Sequence, residues 1–237
     1  NVPTKKDCFK DCKDCPVFAQ SVFYDLSDSA LDKIKGKKNV SFFKRGQSLF
    51  VEKTPAFGLY CIGEGNFKIS KMSEEGKDSI IRIATAGNIT GHRSIFSNQP
   101  FQATATALSE SHVCFLDKTF ILELIDSEPH LARNFLFQLS RDLGLSEKNL
   151  ASFSQHNVRE RVAGLLLFLE EQFGNKSESG TSIEIKLSRE EMASLIGTAT
   201  ETLIRFLSEL KDEKIIEQRG KSLVILDHER LEEFAAV

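Results

Sequence analysis

Between Leu187 and Leu226 the chain spells two short amphipathic helices hinged on a glycine, followed at once by a basic hairpin, and few folds accept that order. Ser188 precedes Arg189, Glu190 and Glu191, so its hydroxyl can cap a helix starting near residue 189 while Glu191 reaches back in a capping box. Met192, Leu195 and Ile196 make one buried stripe, and Gly197 ends the helix at a residue free to take positive φ. Thr198 or Thr200 is expected to cap the next helix, whose stripe is Leu203, Phe206, Leu207 and Leu210. Ile215 to Gln218 and Ser222 to Leu226 read as strands around Arg219, Gly220 and Lys221. The whole is expected to be a winged helix-turn-helix.

That expectation points to DNA. Glu201 and Arg205, four apart, share the face away from the stripe, where a second helix meets the major groove. Arginine donates bidentately to guanine and glutamate accepts from the cytosine amino group, so the pair has the chemistry of a G·C reader. Arg219 and Lys221 are cations suited to phosphate contacts, which add affinity without reading sequence. The bland alternative is a solvated i, i+4 ion pair.

The rest of the chain fits a regulator better than a nucleic-acid coat. Its 31 basic and 34 acidic residues nearly balance, so readout is expected from one local face. No run is long and apolar enough for a membrane span and the front lacks a secretory core, so a soluble, cytoplasmic protein is expected. Residues 1–25 read as a cysteine-bearing arm and Ser27 to Lys35 as a short capped helix. Seven strands are expected from Val40 to Leu116: Val40–Phe43, Ser48–Glu52, Gly58–Ile62, Asn66–Lys71, Ser79–Ala84, Gln102–Ala107 and His112–Leu116. Glycines punctuate them as in a β-roll or jelly roll over residues 26–128.

A long helix should follow over residues 129–156. Leu136, Leu139, Leu143, Ser146, Leu150 and Phe153 step by 3, 4, 3, 4, 3, the spacing of a coiled-coil seam, so a parallel homodimer is expected. Ser146, the polar position, would weaken the seam locally. The alternative is that the stripe packs on its own β-roll. Val158 to Phe173 read as a further helix, Gly174 to Ser182 as a polar loop and Ser182 to Leu187 as a strand, within a DNA-binding region over residues 157–237. The fold class expected is therefore α+β.

A β-roll, a long helix and a winged helix in that order resemble the CRP/FNR bacterial transcription regulators. The resemblance spans nearly the whole chain and rests on "RGQSLFVE" (Arg45–Glu52), "LYCIGEGNFKIS" (Leu59–Ser70), "GNITGHRSIF" (Gly87–Phe96), "VRERVAGLLLFL" (Val158–Leu169) and "LSREEMASLIGTATETLIRFLSEL" (Leu187–Leu210). It implies a cyclic-nucleotide-binding-like β-roll, a non-enzymatic homodimer on an inverted-repeat DNA operator, and RNA polymerase as a further partner. It implies that Glu201 and Arg205 read bases, with Thr200 and Ile204 flanking and Thr198 and Ser188 nearby. Ile204 departs from the serine typical of FNR proteins.

Two kinds of signal follow from the resemblance. In the cyclic-AMP branch an arginine and a serine hold the phosphate; Gln102 and Ala103 stand in their places, after Gly91, His92 and Arg93. Without the arginine the phosphate loses its charge-assisted partner, so cyclic AMP is not expected, while another ligand of this effector pocket stays open. In the FNR branch arm cysteines and one distant cysteine hold a [4Fe-4S] cluster. Cys12, Cys15 and Cys114 match three ligands; the fourth falls on Ser21, so Cys8 would substitute. Zinc on the same thiols, free thiols, and haem on His92 or His112 are the alternatives. Cys61 reads as core, since Leu59, Cys61 and Gly63 share a strand face. A cupin-like metal enzyme would need clustered histidines, which His92, His112, His130, His156 and His228 do not form in sequence, and a protein-interaction module would make no use of the Arg205 face.

Overall fold

The computed structural model describes residues 11–74, 76, 78–220 and 222–235. Its contacts divide the chain into two compact units, Asn1–Gly76 with Ile81–Leu145, and Lys77–Ile80 with Ser146–Val237.

In the first unit the arm makes a turn of 3₁₀ helix, Phe18–Gln20, and then α1, Asp28–Lys37, capped by Ser27, whose hydroxyl accepts from the Ala30 amide. Eight strands follow: β1 Asn39–Phe43, β2 Ser48–Phe50, β3 Gly58–Glu64, β4 Asn66–Met72, β5 Asp78–Thr85, β6 Ile89–Thr90, β7 Thr104–Ala107 and β8 Ser111–Asp117. The short helix α2, His92–Phe96, sits between β6 and β7. The strands form two four-stranded antiparallel sheets ordered β1-β8-β3-β6 and β2-β7-β4-β5. All seven expected strands are present; β6 is too short to leave a period in the sequence.

Alternation builds the roll's interior. Phe67 and Ile69 point inward from β4 and meet Leu49, Phe50, Ile62, Ala105, Ala107 and Val113, with Phe50 stacked on Phe101 at 4.0 Å. A second core joins Phe23, Leu31 and Ile34 to Leu59, Ile121 and Leu124, Ile121 and Leu124 coming from α3, Lys118–Ser127. Leu131 and Phe135 complete this core from α4, Pro129–Gln155, whose 27 residues run from the first unit into the second.

The second unit opens with α5, Val158–Phe173, capped by Asn157 and Glu160 in a capping box. Residues expected as a polar loop instead form a hairpin, β9 Gly174–Ser177 and β10 Gly180–Ile183, so the strand expected over Ser182 to Leu187 lies earlier. The β9 side chains are polar and exposed, so only backbone pairing makes the strand and no hydrophobic period announces it. Gly180, at φ +113°, lies where a Cβ would meet the Ile225 carbonyl at 2.5 Å. Then come α6 Arg189–Leu195, α7 Thr200–Asp212, β11 Ile216–Arg219, β12 Ser222–Ile225 and α8 His228–Ala235, with the sheet ordered β11-β12-β10-β9. Val162, Leu166, Leu169, Met192, Leu203, Leu207 and Leu231 fill the core.

Candidate nucleic-acid interface and cysteine cavity

The α6–α7 pair is built as its sequence requires. Ser188 Oγ accepts from the Glu191 amide at 3.0 Å and the Ser188 amide donates to Glu191 at 2.9 Å. Gly197 takes φ +62° and the Thr198 amide bonds the Ala193 carbonyl, turning the chain. The cap of α7 is neither expected threonine: Ala199 is the N-cap, with no side-chain hydrogen bond, because Thr200 is already in the first turn. Leu203, Leu207 and Leu210 are buried, whereas Phe206 is half-buried under the Arg205 guanidinium, 5.0 Å from its ring centroid. The opposite face presents Glu201, Ile204, Arg205 and Ser208, all exposed, at the i, i+3, i+4, i+7 spacing of one stripe. Ile204, 48% exposed, offers an apolar contact there, while Thr198 and Thr200 are half-buried at its N-terminal edge.

The wing is more occupied than its sequence suggests. Arg219 donates to Glu217 at 2.8 Å and to Ser179, in the β9–β10 turn, at 2.9 Å. Arg189 reaches Gln218 at 2.6 Å, tying α6 to β11. Lys221 lies outside the described residues. Ser179, Arg189 and Gln218 escaped sequence reasoning because their roles depend on the hidden β9–β10 hairpin and on pairing distant in sequence.

Of the expected dimer seam, Leu136, Leu143, Leu150 and Phe153 are 64, 61, 72 and 44% exposed, with Leu139 half-buried and Ser146 exposed. Phe137 and Leu145 add to this apolar surface.

The expected effector residues lie on α2 and on the approach to β7. Gly91, at φ +85°, leads into α2, on which Arg93 is exposed and His92 is buried, its Nε2 3.3 Å from the Asp142 carboxylate. Burial works to raise the Asp142 carboxyl, but the His92 contact, the Arg82 charge and a Gln138 hydrogen bond together hold it below the usual range. Gln102 is exposed, bonds Gln99, and lines an open cleft with Glu52, Lys53 and Lys71. Ala103 packs against the inner core. His112 pairs with Glu64 at 3.1 Å.

The arm cysteines meet the β-roll. Cys12, Cys15, Cys61 and Cys114 all line one narrow apolar cavity of about 50 Å³, with Ser21, Phe23, Ile34 and Lys38 among its walls. Lys38 Nζ donates to Cys12 Sγ at 3.4 Å, and ion pairs Lys13–Asp28 and Lys35–Asp11 fasten the arm to α1. Burial pushes the Cys114 thiol up to about 11 against the pull of Lys38, and burial with the neighbouring thiols lifts Cys61 well above its ordinary value. Cys8 lies outside the described residues. Cys61, read from sequence as core, packs against the second core and also lines this cavity, opposite Cys114 in the β3–β8 pairing, a register not legible from one strand alone.

Four thiols around an apolar space fit the donor chemistry of a thiolate-held cluster. Among the described residues no group of three or more His, Cys, Asp or Glu stands close enough to hold a single metal ion. None of the described helices is long and apolar enough to cross a membrane.

Comparison with known proteins agrees with this architecture. Residues 40–128 match the cyclic nucleotide-binding domain family and residues 160–234 the Crp-like helix-turn-helix domain family. The CRP-like cAMP-activated global transcriptional regulator of Mycobacterium tuberculosis is 30% identical over 210 residues, covering 89% of this chain and 94% of that protein. The fumarate and nitrate reduction regulatory protein of Vibrio cholerae is 27% identical over 234 residues, covering 97% and 92%. The structure of FixK2 from Bradyrhizobium japonicum shares the fold, with a TM-score of 0.75 at 19% identity over 84% of this chain and 98% of that one. With both domains matched in order and a relative aligned along nearly its full length, the chain belongs to the CRP/FNR family of transcription regulators, which are not enzymes.

Proposed function

We propose that this regulator binds an inverted-repeat operator as a homodimer through the α7 face, with its DNA affinity gated by a signal at the N-terminal lobe. The observation that carries the reading is the stripe of Glu201, Ile204, Arg205 and Ser208, exposed on the helix that a capped α6 and a glycine turn hold out from the core. Arg205 and Glu201 read a G·C pair and Thr200 and Ile204 flank it; Ser188 and Thr198 border the turn, and Arg219 and Lys221 face phosphate. Arg219 must exchange Glu217 and Ser179 for phosphate to do so. The exposed leucines of α4 supply the dimer seam, and RNA polymerase is the partner such an operator-bound dimer would meet.

For the signal, the four-cysteine cavity favours a [4Fe-4S] cluster, held by Cys12, Cys15, Cys114 and a fourth thiolate. When bound, the cluster supplies an oxygen-labile covalent link between arm and β-roll. Relatives named as fumarate and nitrate reduction regulators align through the arm as well.

The test is operator selection from random duplexes followed by titration of Arg205→Ala. Direct readout predicts a loss of about 1–3 kcal/mol and relaxed choice at one base pair per half-site. Selection of no palindrome, or an Arg205→Ala variant that binds as tightly and as selectively, overturns the reading.

A further inference from the structure

The resemblance matches three cluster ligands, Cys12, Cys15 and Cys114, and places the fourth at Ser21. Position 21, where a fourth cysteine is expected, is on the cavity wall but carries serine, whose hydroxyl donates to the Phe18 carbonyl at 2.8 Å and accepts from the Phe23 amide. An alcohol so engaged is a poor substitute for a thiolate. On the opposite wall, β3 and β8 pair antiparallel with Cys61 directly against Cys114. Directly paired residues project from the same face of a sheet, so the two thiols look into the same space. That space is where the arm delivers Cys12 and Cys15.

Resting on the reading of this cavity as a cluster site, we propose that Cys61 is the fourth ligand, so that Cys12, Cys15, Cys61 and Cys114 form the complete thiolate set without Cys8. A core cysteine needs no companions, whereas Cys61 is one of four thiols lining one cavity of otherwise apolar walls. Lys38, already bonded to Cys12, is the cation that offsets the charge four thiolates gather. Delivered from a carrier that holds the cubane by four thiolates, the cluster would be taken up by exchange: each cysteine would form one S–Fe bond as one carrier S–Fe bond breaks, and its S–H proton would pass to the departing carrier thiolate, so no electrons would move.

The test compares full-length wild type, Cys61→Ser, Cys8→Ser and the double variant Ser21→Cys with Cys61→Ser, all purified anaerobically. Iron, acid-labile sulfide and zinc are counted per chain, with the visible absorption spectrum as a second readout. The expected result is about four irons in wild type and Cys8→Ser, fewer than about one in Cys61→Ser, and recovery in the double variant, whose thiol returns to the cavity wall at position 21. Recovery separates a missing ligand from a misfolded β3. Full iron in Cys61→Ser with loss in Cys8→Ser overturns the assignment while leaving the cluster standing. Wild type free of iron and sulfide sinks the cluster and this assignment together. One zinc per chain in place of iron, lost in Cys61→Ser and regained in the double variant, supports the four-thiolate set and overturns only the cluster.

Discussion

Gly197 joins the helix-turn-helix to the end of α4, and replacing it with alanine separates two costs. The first is backbone strain. At φ +62° an alanine pays the left-handed penalty of about 1–2 kcal/mol. The second is contact, since the new Cβ would lie 2.9 Å from Phe153 Cε1, and turning that ring off its rotamer costs about 0.5–1.5 kcal/mol more. Gly220→Ala is the internal control, with φ +61° and no atom within 4 Å of the added Cβ. Gly197→Ala should therefore destabilise by about 1.5–3.5 kcal/mol and Gly220→Ala by about 1–2, and Phe153→Ala should recover only the contact part in a double-mutant cycle. The chain has no tryptophan, and its two tyrosines, Tyr24 and Tyr60, both lie in the first unit. Tyrosine fluorescence thus follows that unit alone, while circular dichroism follows both. Urea unfolding read by both probes isolates the second unit, where the Gly197→Ala shift must appear. Equal costs at Gly197 and Gly220, or no coupling to Phe153, would refute the reasoning.

Leu143→Glu puts a charge on a side chain 61% exposed in the single chain but buried in the proposed seam, losing about 1.5–3 kcal/mol per leucine; sedimentation should find monomers, and an unchanged dimer refutes the seam. The Asp142 carboxyl is held below 3.8, so its contribution to stability is present above that pH and fades as pH falls through the lower folded value. Asp142→Asn should accordingly differ from wild type in urea midpoint at pH 6 and converge on it in strong acid; a constant gap across that range refutes the pairing. Asn134, 8% exposed, donates to the Val22 carbonyl at 2.9 Å and to Asp25 at 2.6 Å. Asn134→Ala should cost about 2–3 kcal/mol and speed hydrogen exchange over residues 12–25, and unchanged exchange there counts against this anchor.

The legible parts of the chain were those with a period or a cap. Ser188, Gly197 and the α7 stripe fix the helix-turn-helix because each constraint is local, and the seven longer strands follow from alternation and glycine punctuation. What escaped depends on pairing. The β9 strand has no apolar residue to mark it, so its hairpin with β10 was invisible, and with it the Ser179–Arg219 contact. Cys61 shows the same limit in the site. Alternation put it on the Leu59 face, which packs against the second core, but Cys114 stands beside it there only because β3 pairs with β8, a register no single strand encodes. Asp142 reads as one more polar residue of a long helix until His92 is found against it.

The N-terminal lobe grips α4 at two places. Near its start, Asn134 holds the arm while Phe135 meets Phe23 and Phe96 edge-on, at 6.4 and 4.9 Å. Phe23 also lines the cysteine cavity, so one ring touches both the cavity and this grip. Seven residues on, Asp142 meets His92, two turns along the same helical face. Leu136 and Leu143 share that spacing of seven on the neighbouring, exposed face. A closely packed interior yields by discrete repacking rather than smooth deformation. Releasing the grip at Asn134 and Phe135 while Asp142 holds would therefore turn the leucine stripe about the retained contact. Coupling between the two holds is measured by a double-mutant cycle. Asn134→Ala and Asp142→Asn supply that measure: as independent anchors their effects on operator affinity add within about 0.5 kcal/mol, and as two holds on one rigid helix they do not.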